Sequence, residues 1–462
     1  MKDFDSLYFV GAGGIGMAAL ERYFLARGKR VAGYDRTPSD LTRALQSEGV
    51  DITFDENPDL IPDYCRDPER TLVVYTPAVP AGHAGLQYFR HHGFEVVKRA
   101  KLLGIVTRGS QALCFAGTHG KTTTSSMAAH ILHSSGVGCN AFLGGVLRNY
   151  DSNFLLSDTS PYSVIEADEF DRSFHHLSPF VAVITSTDPD HLDIYGTEEN
   201  YLEGFAHFTE LIRPHGALIV HSGLKLKPRP GEDVKIYTYS ATSTQSDFHA
   251  ARVRMGDGEI TFDLVTPWET IADVQLGVPV QVNIDNAIAA MAACRLVDVP
   301  AEAMRQAIAT FKGAKRRFEF WLKEEGPHGK VMIDDYAHHP DELRASLASV
   351  RALYPGRRLT VIFQPHLYSR TRDFAPEFAS ALSLADEVLL LPIYPARELP
   401  IPGVSSEIIL KDITCPLKTI YSKENLLNSI KSLNFDILLT VGAGDIAELL
   451  PAICDEFKKQ KP

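Results

Sequence analysis

The sequence predicts a three-domain α/β protein, and three observations support that prediction. Short apolar segments, typical of buried strands, alternate with longer segments of helical character along most of the chain, as in parallel sheets whose strands are connected by helices. The chain has 462 residues, which is more than a single hydrophobic core usually supports. Polar or glycine-rich turns follow several of the predicted strands, at the edge of a parallel sheet where ligands bind.

The composition argues against several broad classes of protein. The net charge of −12 disfavours an extended nucleic-acid surface, which needs clustered cations. No apolar segment approaches the length of a membrane span, and the first residues lack the features of a signal peptide. The six cysteines show no metal-ligand spacing and suit a reducing compartment. We therefore expect a cytoplasmic protein with no nucleic-acid partner and no membrane insertion.

The N-terminal segment has the pattern of a dinucleotide-binding domain. A strand predicted at residues 7–10 precedes a glycine-rich turn, and a second strand, Arg30–Tyr34, precedes Asp35, which lies 19 residues after Gly16. Such a turn brings backbone N–H groups to a pyrophosphate, and the acid meets a ribose hydroxyl. We therefore predict a Rossmann-like domain over residues 1–107. The turn comprises Gly11, Gly13, Gly14, Ile15 and Gly16.

A second phosphate-binding turn opens the central part of the chain. Residues 112–116 predict a buried strand, and the turn after it leads to a helix predicted at 125–133. Backbone N–H groups and the helix N-terminus bind phosphates, Lys121 reaches their outer oxygens, and the Thr122 hydroxyl ligates Mg²⁺. We therefore predict an ATP site in a central P-loop domain over residues 108–312. The turn comprises Gly117, Thr118, His119, Gly120, Lys121, Thr122 and Thr123.

Acidic side chains follow two more predicted strands of this domain. Glu166 follows a strand at residues 162–165, and the strand Val181–Ile184 leads to Asp190-His191-Leu192-Asp193. The carboxyl ends of parallel strands share one edge, so these groups should lie near the phosphate loop, where carboxylates hold metal ions. By itself His191 is typical of a capped surface turn, but its position beside the phosphate loop favours a metal ligand.

The rest of the central domain changes character. Residues 214–278 predict an antiparallel subsheet, with a hairpin turn at Asp257-Gly258. Two helices follow, the first predicted at 286–297. Asn283 and Asn286, at the start of that helix, either cap it or bind an adenine edge with their amides.

A basic stretch, residues 312–317, marks the last predicted boundary. Beyond it we predict a C-terminal Rossmann-like α/β domain over residues 313–462. Strands predicted at 331–333, Leu359–Phe363 and 438–441 each precede a polar cluster. Three such clusters in one domain indicate a substrate-facing edge.

Taken together, these motifs resemble those of the Mur ligase family over the whole chain. The matching motifs, in order, are G-A-G-G-I-G-M, G-T-H-G-K-T-T, E-A-D-E, D-H-L-D, R-R-F, D-D-Y-A-H-H-P, Q-P-H-L-Y-S-R-T-R-D and G-A-G-D. The resemblance implies an ATP-dependent, amide-forming enzyme of peptidoglycan synthesis. It also implies that the N-terminal domain holds the UDP of a sugar nucleotide and no nicotinamide.

The implied reaction joins L-alanine to the lactyl carboxylate of UDP-N-acetylmuramate, with ATP as co-substrate and Mg²⁺ as cofactor. ATP converts the carboxylate into an acyl phosphate, which the amine then attacks. A recycling ligase that adds a preformed tripeptide to the same sugar nucleotide is the nearest alternative. A nicotinamide-dependent dehydrogenase or a non-enzymatic nucleotide switch would each leave one of the two nucleotide-binding turns without a role. We expect a monomer or a weak homodimer.

The resemblance implies roles for individual residues. Lys121 would hold the β- and γ-phosphates, Thr122 and Glu166 would hold one Mg²⁺, and His191 would hold a second. The residues implied in UDP-sugar binding are Gly11, Gly13, Gly14, Ile15, Gly16, Asp35 and Arg99. Those implied around ATP also include Asn283, Asn286, Arg317 and Asp335, and those facing the incoming amino acid are His338 and Arg370. The chain departs from the family pattern at Lys101, Ser186, Val282 and Leu367.

Overall fold

The computed structural model describes residues 4–459 except 81, 191, 325, 327, 328, 397, 431, 432 and 434. These residues form three sheets, of five, ten and six strands, with helices packed against them. The α/β class predicted from the sequence is therefore confirmed.

The chain divides into two compact units. The first contains Met1–Ala251, Asp263–Val274 and Asp285–Phe311. The second contains Arg252–Phe262, Gln275–Ile284 and Lys312–Pro462. The domain limits at residues 107 and 312 stay a prediction.

The N-terminal sheet is entirely parallel, with strand order β3-β2-β1-β4-β5. Its strands are β1 Ser6–Val10, β2 Arg30–Tyr34, β3 Asp51–Thr53, β4 Thr71–Tyr75 and β5 Glu95–Lys98. Its helices are α1 Ile15–Ala26, α2 Asp40–Glu48, α3 Ala84–His91 and α4 Arg99–Arg108. The strand order reverses at β1, so the glycine-rich turn after β1 lies at the position where this fold binds ligands.

The central sheet has the order β15-β14-β13-β12-β11-β10-β6-β9-β7-β8. Its first strands are β6 Gln111–Ala116, β7 Asn140–Leu147, β8 Ser152–Leu155, β9 Tyr162–Glu166 and β10 Val181–Ile184. They are followed by β11 Ala217–His221, β12 Lys235–Ser240, β13 Phe248–Gly256, β14 Glu259–Val265 and β15 Thr270–Gln275. The helices are α5 Lys121–Ser134, α6 Leu192–Tyr195, α7 Glu198–Glu210, α8 Val282–Arg295 and α9 Ala301–Thr310.

The predicted antiparallel pairing over residues 214–278 is wrong for its first strands. β11 pairs parallel with β10, and β12 pairs parallel with β11. Residues 222–234, which connect β11 to β12, are longer than a hairpin loop and let the chain return to the starting edge. The predicted turn at Asp257-Gly258 does connect the neighbouring strands β13 and β14, with φ of 51° and 74° at its two residues, as a tight hairpin requires.

The C-terminal sheet has the order β16-β17-β21-β18-β19-β20, with only β16 antiparallel to its neighbour. Its strands are β16 Glu319–Lys323, β17 Val331–Asp335, β18 Leu359–Phe363, β19 Glu387–Leu390, β20 Leu417–Ile420 and β21 Ile437–Val441. Its helices are α10 Pro340–Leu353, α11 Tyr368–Asp373, α12 Ala375–Leu382, α13 Glu407–Leu410, α14 Lys423–Ser429 and α15 Leu450–Lys459. The polar clusters predicted from the sequence follow β17, β18 and β21.

One hydrophobic core runs from the N-terminal sheet into the central sheet. Helix α1 packs against β7 and β8, where the Tyr23 ring lies 5.4 Å from Phe142 and 6.5 Å from Phe154. The glycine-rich turn at the start of α1 is therefore held close to the central sheet.

Among the helices of the described residues, none has the length and apolar character of a membrane span.

A buried histidine joins two helices of the central domain. His130 on α5 is 4% exposed, with ring nitrogens 2.7 Å from the Tyr150 hydroxyl and 3.0 Å from Thr310 Oγ1. Burial lowers the pKa of His130 from 6.5 to about 4. Between these two values the unfolded chain binds a proton that the folded protein does not. The contribution of neutral His130 to the free energy of unfolding should therefore be fully present above pH 6.5. The free energy of unfolding should fall by about 3 kcal/mol as the pH decreases toward about 4.

Replacing His130 with glutamine tests this expectation by chemical denaturation at neutral and acidic pH. The variant should be less stable than the wild type at neutral pH. The difference between their free energies of unfolding should decrease on acidification, because only the wild type has the titrating histidine. The same substitution at the exposed His91 is the control. An equal response to acid in the wild type and the His130→Gln variant would assign the effect to other groups.

Candidate active site

The phosphate loop connects β6 to α5, and its two glycines adopt backbone conformations that favour glycine. Gly117 has a φ of 137° and Gly120 a φ of 84°. A Cβ atom on Gly117 would also lie 2.2 Å from Thr185 Oγ1. The helix begins at Lys121, four residues before the predicted start at 125. The start of the helix was predicted too far along the chain because the threonines of its first turn are polar. One of them, Thr124, is nevertheless buried and donates a hydrogen bond to Asn286.

The segment after β10 holds this loop in place from the neighbouring strand. The Ser186 hydroxyl accepts from the His119 N–H at 2.7 Å, and the Thr118 hydroxyl donates to the Asp188 carbonyl at 2.7 Å. Ser186 thus supplies a hydrogen bond that shapes the loop. Thr185 donates to the His119 carbonyl at 2.5 Å.

The Lys121 ammonium lies inside the loop and is paired with a buried acid. It is 2.5 Å from the Gly117 carbonyl and 2.8 Å from Glu169 Oε1. Glu169 is 2% exposed. Glu169 was not predicted from the sequence as a site residue, although it closes the E-A-D-E motif that Glu166 opens, and that motif was the available signal.

Two predicted magnesium ligands meet beside the loop. Thr122 Oγ1 donates to Glu166 Oε1 at 2.9 Å, and Glu166 Oε2 accepts from the Gly144 N–H at 2.9 Å. A hydroxyl and a carboxylate are oxygen ligands of the kind that Mg²⁺ prefers, so this pair fits the predicted ion. Among the described residues there is no cluster of three or more metal-binding side chains. His191, the predicted ligand of a second Mg²⁺, lies outside the described residues.

A cavity of about 350 Å³ brings the glycine-rich turn together with Glu166. Its lining includes Gly14, Ile15, Gly16, Arg99, Glu166 and Asp168. Arg99 runs so close to the turn that a Cβ atom on Gly16 would lie 2.2 Å from its Nη1. The Nη2 atom of Arg99 is 3.8 Å from Asp168 Oδ2. Residues predicted to bind the sugar nucleotide and a residue predicted to bind Mg²⁺ therefore share one space.

Asp35 has a structural contact within the same turn. Its Oδ2 accepts from the Gly13 N–H at 2.7 Å, and its Oδ1 accepts from the Thr37 N–H at 3.2 Å. The carboxylate therefore holds the glycine-rich turn closed. Its predicted contact with a ribose stays a prediction. Gly11, at the start of the turn, has a φ of 95°.

The two asparagines predicted near adenine lie inside α8 and do not cap it. The helix begins at Val282, so neither asparagine occupies the position before it. The Asn283 amide donates to the Val278 carbonyl at 3.1 Å, and Asn286 Oδ1 accepts from the Thr124 hydroxyl at 3.1 Å. Both side chains are buried. Their contact with adenine stays a prediction.

Two further residues of the second unit were predicted to contact ATP, of which Asp335 is the last residue of β17 and Arg317 precedes β16. Asp335 accepts from the Ser346 hydroxyl at 2.7 Å and from the Phe318 N–H at 3.2 Å, and burial raises the pKa of its carboxyl. The Arg317 guanidinium lies 5.8 Å from the centre of the Tyr336 ring. The neighbouring Arg316, which the sequence analysis did not select, lies 3.4 Å from Asp334.

His338 and Arg370, the two residues predicted to face the incoming amino acid, both lie near His366 at one edge of the C-terminal sheet. The His366 ring lies 6.2 Å from the His338 ring. Burial lowers the pKa of His366, and the charges of Arg370 and His338 lower it further. The Arg370 Nη1 atom is buried with no hydrogen-bond partner in the described structure. His366 lies within the Q-P-H-L motif, but the sequence analysis gave it no role.

Comparisons with known proteins cover all three domains. Residues 6–111 match the Mur ligase family catalytic domain, residues 115–294 the Mur ligase middle domain and residues 316–444 the Mur ligase glutamate ligase domain. The chain is 59% identical over 455 residues to the UDP-N-acetylmuramate–L-alanine ligase of Parabacteroides distasonis, with 98% of each chain covered. It is 55% identical over 456 residues to the enzyme of that name from Phocaeicola vulgatus, again with 98% of each chain covered. The chain belongs to the Mur ligase family.

Solved structures agree with this assignment. The Mur ligase described here matches the UDP-N-acetylmuramate–alanine ligase of Thermotoga maritima with a TM-score of 0.79 and 25% identity, over 99% of this chain and 100% of the other. A murein peptide ligase from Psychrobacter arcticus matches with a TM-score of 0.62 and 22% identity, over 97% and 99% of the two chains. That second likeness concerns the fold alone. The family resemblance predicted from the sequence motifs is thus confirmed.

Gly144 tests whether the Glu166 carboxylate must stay in its observed position in this Mur ligase. A Cβ atom on Gly144 would lie 2.5 Å from Glu166 Oε2. Replacing Gly144 with alanine should therefore displace the carboxylate and lower kcat by about 100-fold, with a higher Mg²⁺ requirement. Gly231→Ala is the matched control, because nothing lies within 4 Å of a Cβ atom there. Steady-state kinetics over a Mg²⁺ titration measures both effects, and unchanged kinetics would show that the position of Glu166 is not critical.

Proposed function

We propose that this Mur ligase joins L-alanine to the lactyl carboxylate of UDP-N-acetylmuramate through an acyl phosphate, with conversion of ATP to ADP and phosphate. The observation that carries the proposal is the cavity shared by the glycine-rich turn, Arg99 and Glu166, beside the loop that holds Lys121 and Thr122. The names of the curated relatives support the same substrate and acceptor. Peptidoglycan precursor synthesis in the cytoplasm is the proposed setting, with a monomer or a weak homodimer as the active form.

The carboxylate must be activated because oxide is a poor leaving group and phosphate is a good one. Catalysis of phosphoryl transfer depends mainly on positioning and on neutralising charge. In our proposal the N-terminus of α5 and the Lys121 ammonium bind the ATP phosphates. Thr122 and Glu166 would hold Mg²⁺, which when bound supplies positive charge to the transferring phosphoryl group.

The sugar nucleotide would occupy the cavity beside Glu166. The N–H groups of the glycine-rich turn would bind its pyrophosphate at the start of α1, and Arg99 would contact the sugar side. This orientation would direct the lactyl carboxylate toward the phosphate loop. The acyl phosphate would then form where Lys121 can neutralise it.

The acceptor amino acid would be bound by the C-terminal unit. Arg370 suits the alanine carboxylate because a guanidinium binds a carboxylate through two parallel hydrogen bonds. The amine attacks as the free base, and His338 would accept a proton from it. Arg317 and Asp335, residues of the same unit, would contact ATP.

One incubation tests the proposed reaction against its alternatives. The protein is mixed with ATP, Mg²⁺ and UDP-N-acetylmuramate, together with either L-alanine or the preformed tripeptide, and the products are identified by mass. The expected result is a product larger by one alanine residue, with one phosphate released per product. Product formation with the tripeptide alone would favour the recycling reaction. Tighter binding of NAD than of UDP-N-acetylmuramate would contradict the assignment of the N-terminal site.

A further inference from the structure

The Lys121 ammonium has no hydrogen-bonding capacity left for a nucleotide. An ammonium group carries three N–H donors. Here its acceptors are the Gly117 carbonyl at 2.5 Å, the Thr118 carbonyl at 3.3 Å and Glu169 Oε1 at 2.8 Å. A phosphate oxygen can bind Lys121 only if at least one of these contacts is exchanged.

Glu169 is the partner whose contact has the largest consequence. Its side chain is 2% exposed, so water does not replace a lost partner. Burial raises the pKa of Glu169, and the Lys121 ammonium opposes that rise. Among the described residues, the other titratable groups facing it are Asp168 on its own loop, Tyr195 of α6 and Tyr201 of α7. None of these is a cation, so none can replace Lys121.

Contacts with neighbouring elements anchor the backbone around Glu169. The Tyr195 hydroxyl donates to the Glu169 carbonyl at 2.7 Å. Further along the loop, Asp171 and Arg172 have φ of 51° and 54°, and the Asp171 carboxylate accepts a hydrogen bond from the Lys98 ammonium at 2.7 Å. Because these contacts hold the Glu169 backbone, we expect its carboxylate to stay buried when Lys121 is drawn away.

We propose that Glu169 is a positioning residue that holds the Lys121 ammonium in the nucleotide-free loop and takes up a proton when nucleotide phosphates draw that ammonium away. The proposal rests on the proposed binding of ATP at Lys121. In this step Lys121 keeps its three protons and its charge, an O–H bond forms on Glu169, and the proton comes from the buffer acid. Nucleotide affinity is thereby linked to pH through a group that does not touch the nucleotide.

Calorimetric titration with ADP, without divalent metal, tests the proposal in buffers that differ in ionisation enthalpy. The slope of binding enthalpy against ionisation enthalpy gives the protons taken up per ADP. Near neutral pH the wild type should take up close to one proton more than Glu169→Gln, and subtracting the two removes protons carried by ADP itself. The affinity of the wild type for ADP should also rise by up to about tenfold for each pH unit of acidification, after the change measured for Glu169→Gln is subtracted.

Glu203→Gln is the matched control, since Glu203 is an exposed carboxylate of α7. Its Oε2 atom accepts a hydrogen bond from Arg229 Nη1 at 3.0 Å. It should keep the wild-type proton uptake. Equal uptake in the wild type and Glu169→Gln overturns the proposal and leaves the ATP site standing. Failure of the wild type to bind ADP overturns both.

A second measurement covers the case in which Glu169→Gln does not fold. The infrared difference spectrum of the wild type on adding ADP should gain the carbonyl band of a protonated carboxylic acid. The absence of that band contradicts proton uptake by Glu169. Its presence in the wild type and in Glu203→Gln supports the proposal.

Discussion

Replacing Lys121 with alanine should lower kcat of the ligase reaction by about 100- to 1000-fold, the usual effect of removing one preorganised group that stabilises transition-state charge. Lys121 is the only lysine of the phosphate loop, and its ammonium lies against the loop carbonyls where phosphates are expected to bind. Without it, the charge on the transferring phosphoryl group has no side-chain cation in the loop. Phosphate release that depends on L-alanine measures the effect.

The buried acid Glu169 complicates this substitution, because Lys121→Ala leaves its carboxylate without its partner. A buried charge that loses its partner is strongly destabilising, so the double variant Lys121→Ala, Glu169→Gln should be the more stable of the two and equally inactive. Lys225→Ala is the control, since this lysine is 78% exposed and pairs with the surface residue Glu198. Near-normal turnover in either folded Lys121 variant would refute the ATP-site assignment.

Replacing Arg370 with alanine should raise KM for L-alanine by roughly 10- to 150-fold, the equivalent of about 1.5–3 kcal/mol for one hydrogen bond to a charged group. The Nη1 atom of Arg370 is buried without a hydrogen-bond partner in the described structure, which suits a group that binds a carboxylate. KM for ATP and UDP-N-acetylmuramate should change little. Initial rates with each substrate varied in turn separate these constants.

Arg372 provides a matched control two residues along the same motif. Its side chain is 55% exposed and pairs with Asp373 at 2.7 Å. Arg372→Ala should keep the wild-type KM for L-alanine. If Arg370→Ala also stays within about twofold of the wild type, well below the expected range, another group binds the acceptor carboxylate.

The order and location of the two glycine-rich turns could be predicted from local sequence. The strands Arg30–Tyr34, Val181–Ile184 and Leu359–Phe363 coincide with the predicted bounds. Each signal lies within a short stretch, because a buried strand is a continuous apolar segment and a phosphate-binding turn needs glycines at fixed spacing after it. The same locality explains why the ordered set of motifs identified the Mur ligase family.

The direction of strand pairing was decided by the path of the connecting chain. Residues 214–278 contain one clear hairpin signal, at Asp257-Gly258, and the prediction extended its antiparallel pairing to the whole segment. β11 and β12 instead continue the parallel sheet. No local pattern distinguishes the two outcomes, since a short strand has the same composition in either direction and the route of residues 222–234 depends on packing.

The partners of the charged groups were likewise decided by tertiary structure. Sequence analysis selected Lys121, Glu166 and Asp35 for their chemistry, but their contacts with Glu169, Gly144 and Gly13 join positions that are 22 or more residues apart. A buried charge is stable only when a partner satisfies it, and folding alone determines which group is within reach. The sequence therefore singled out Lys121 as the predicted phosphate-binding residue, and the tertiary structure supplied the buried carboxylate that holds its ammonium.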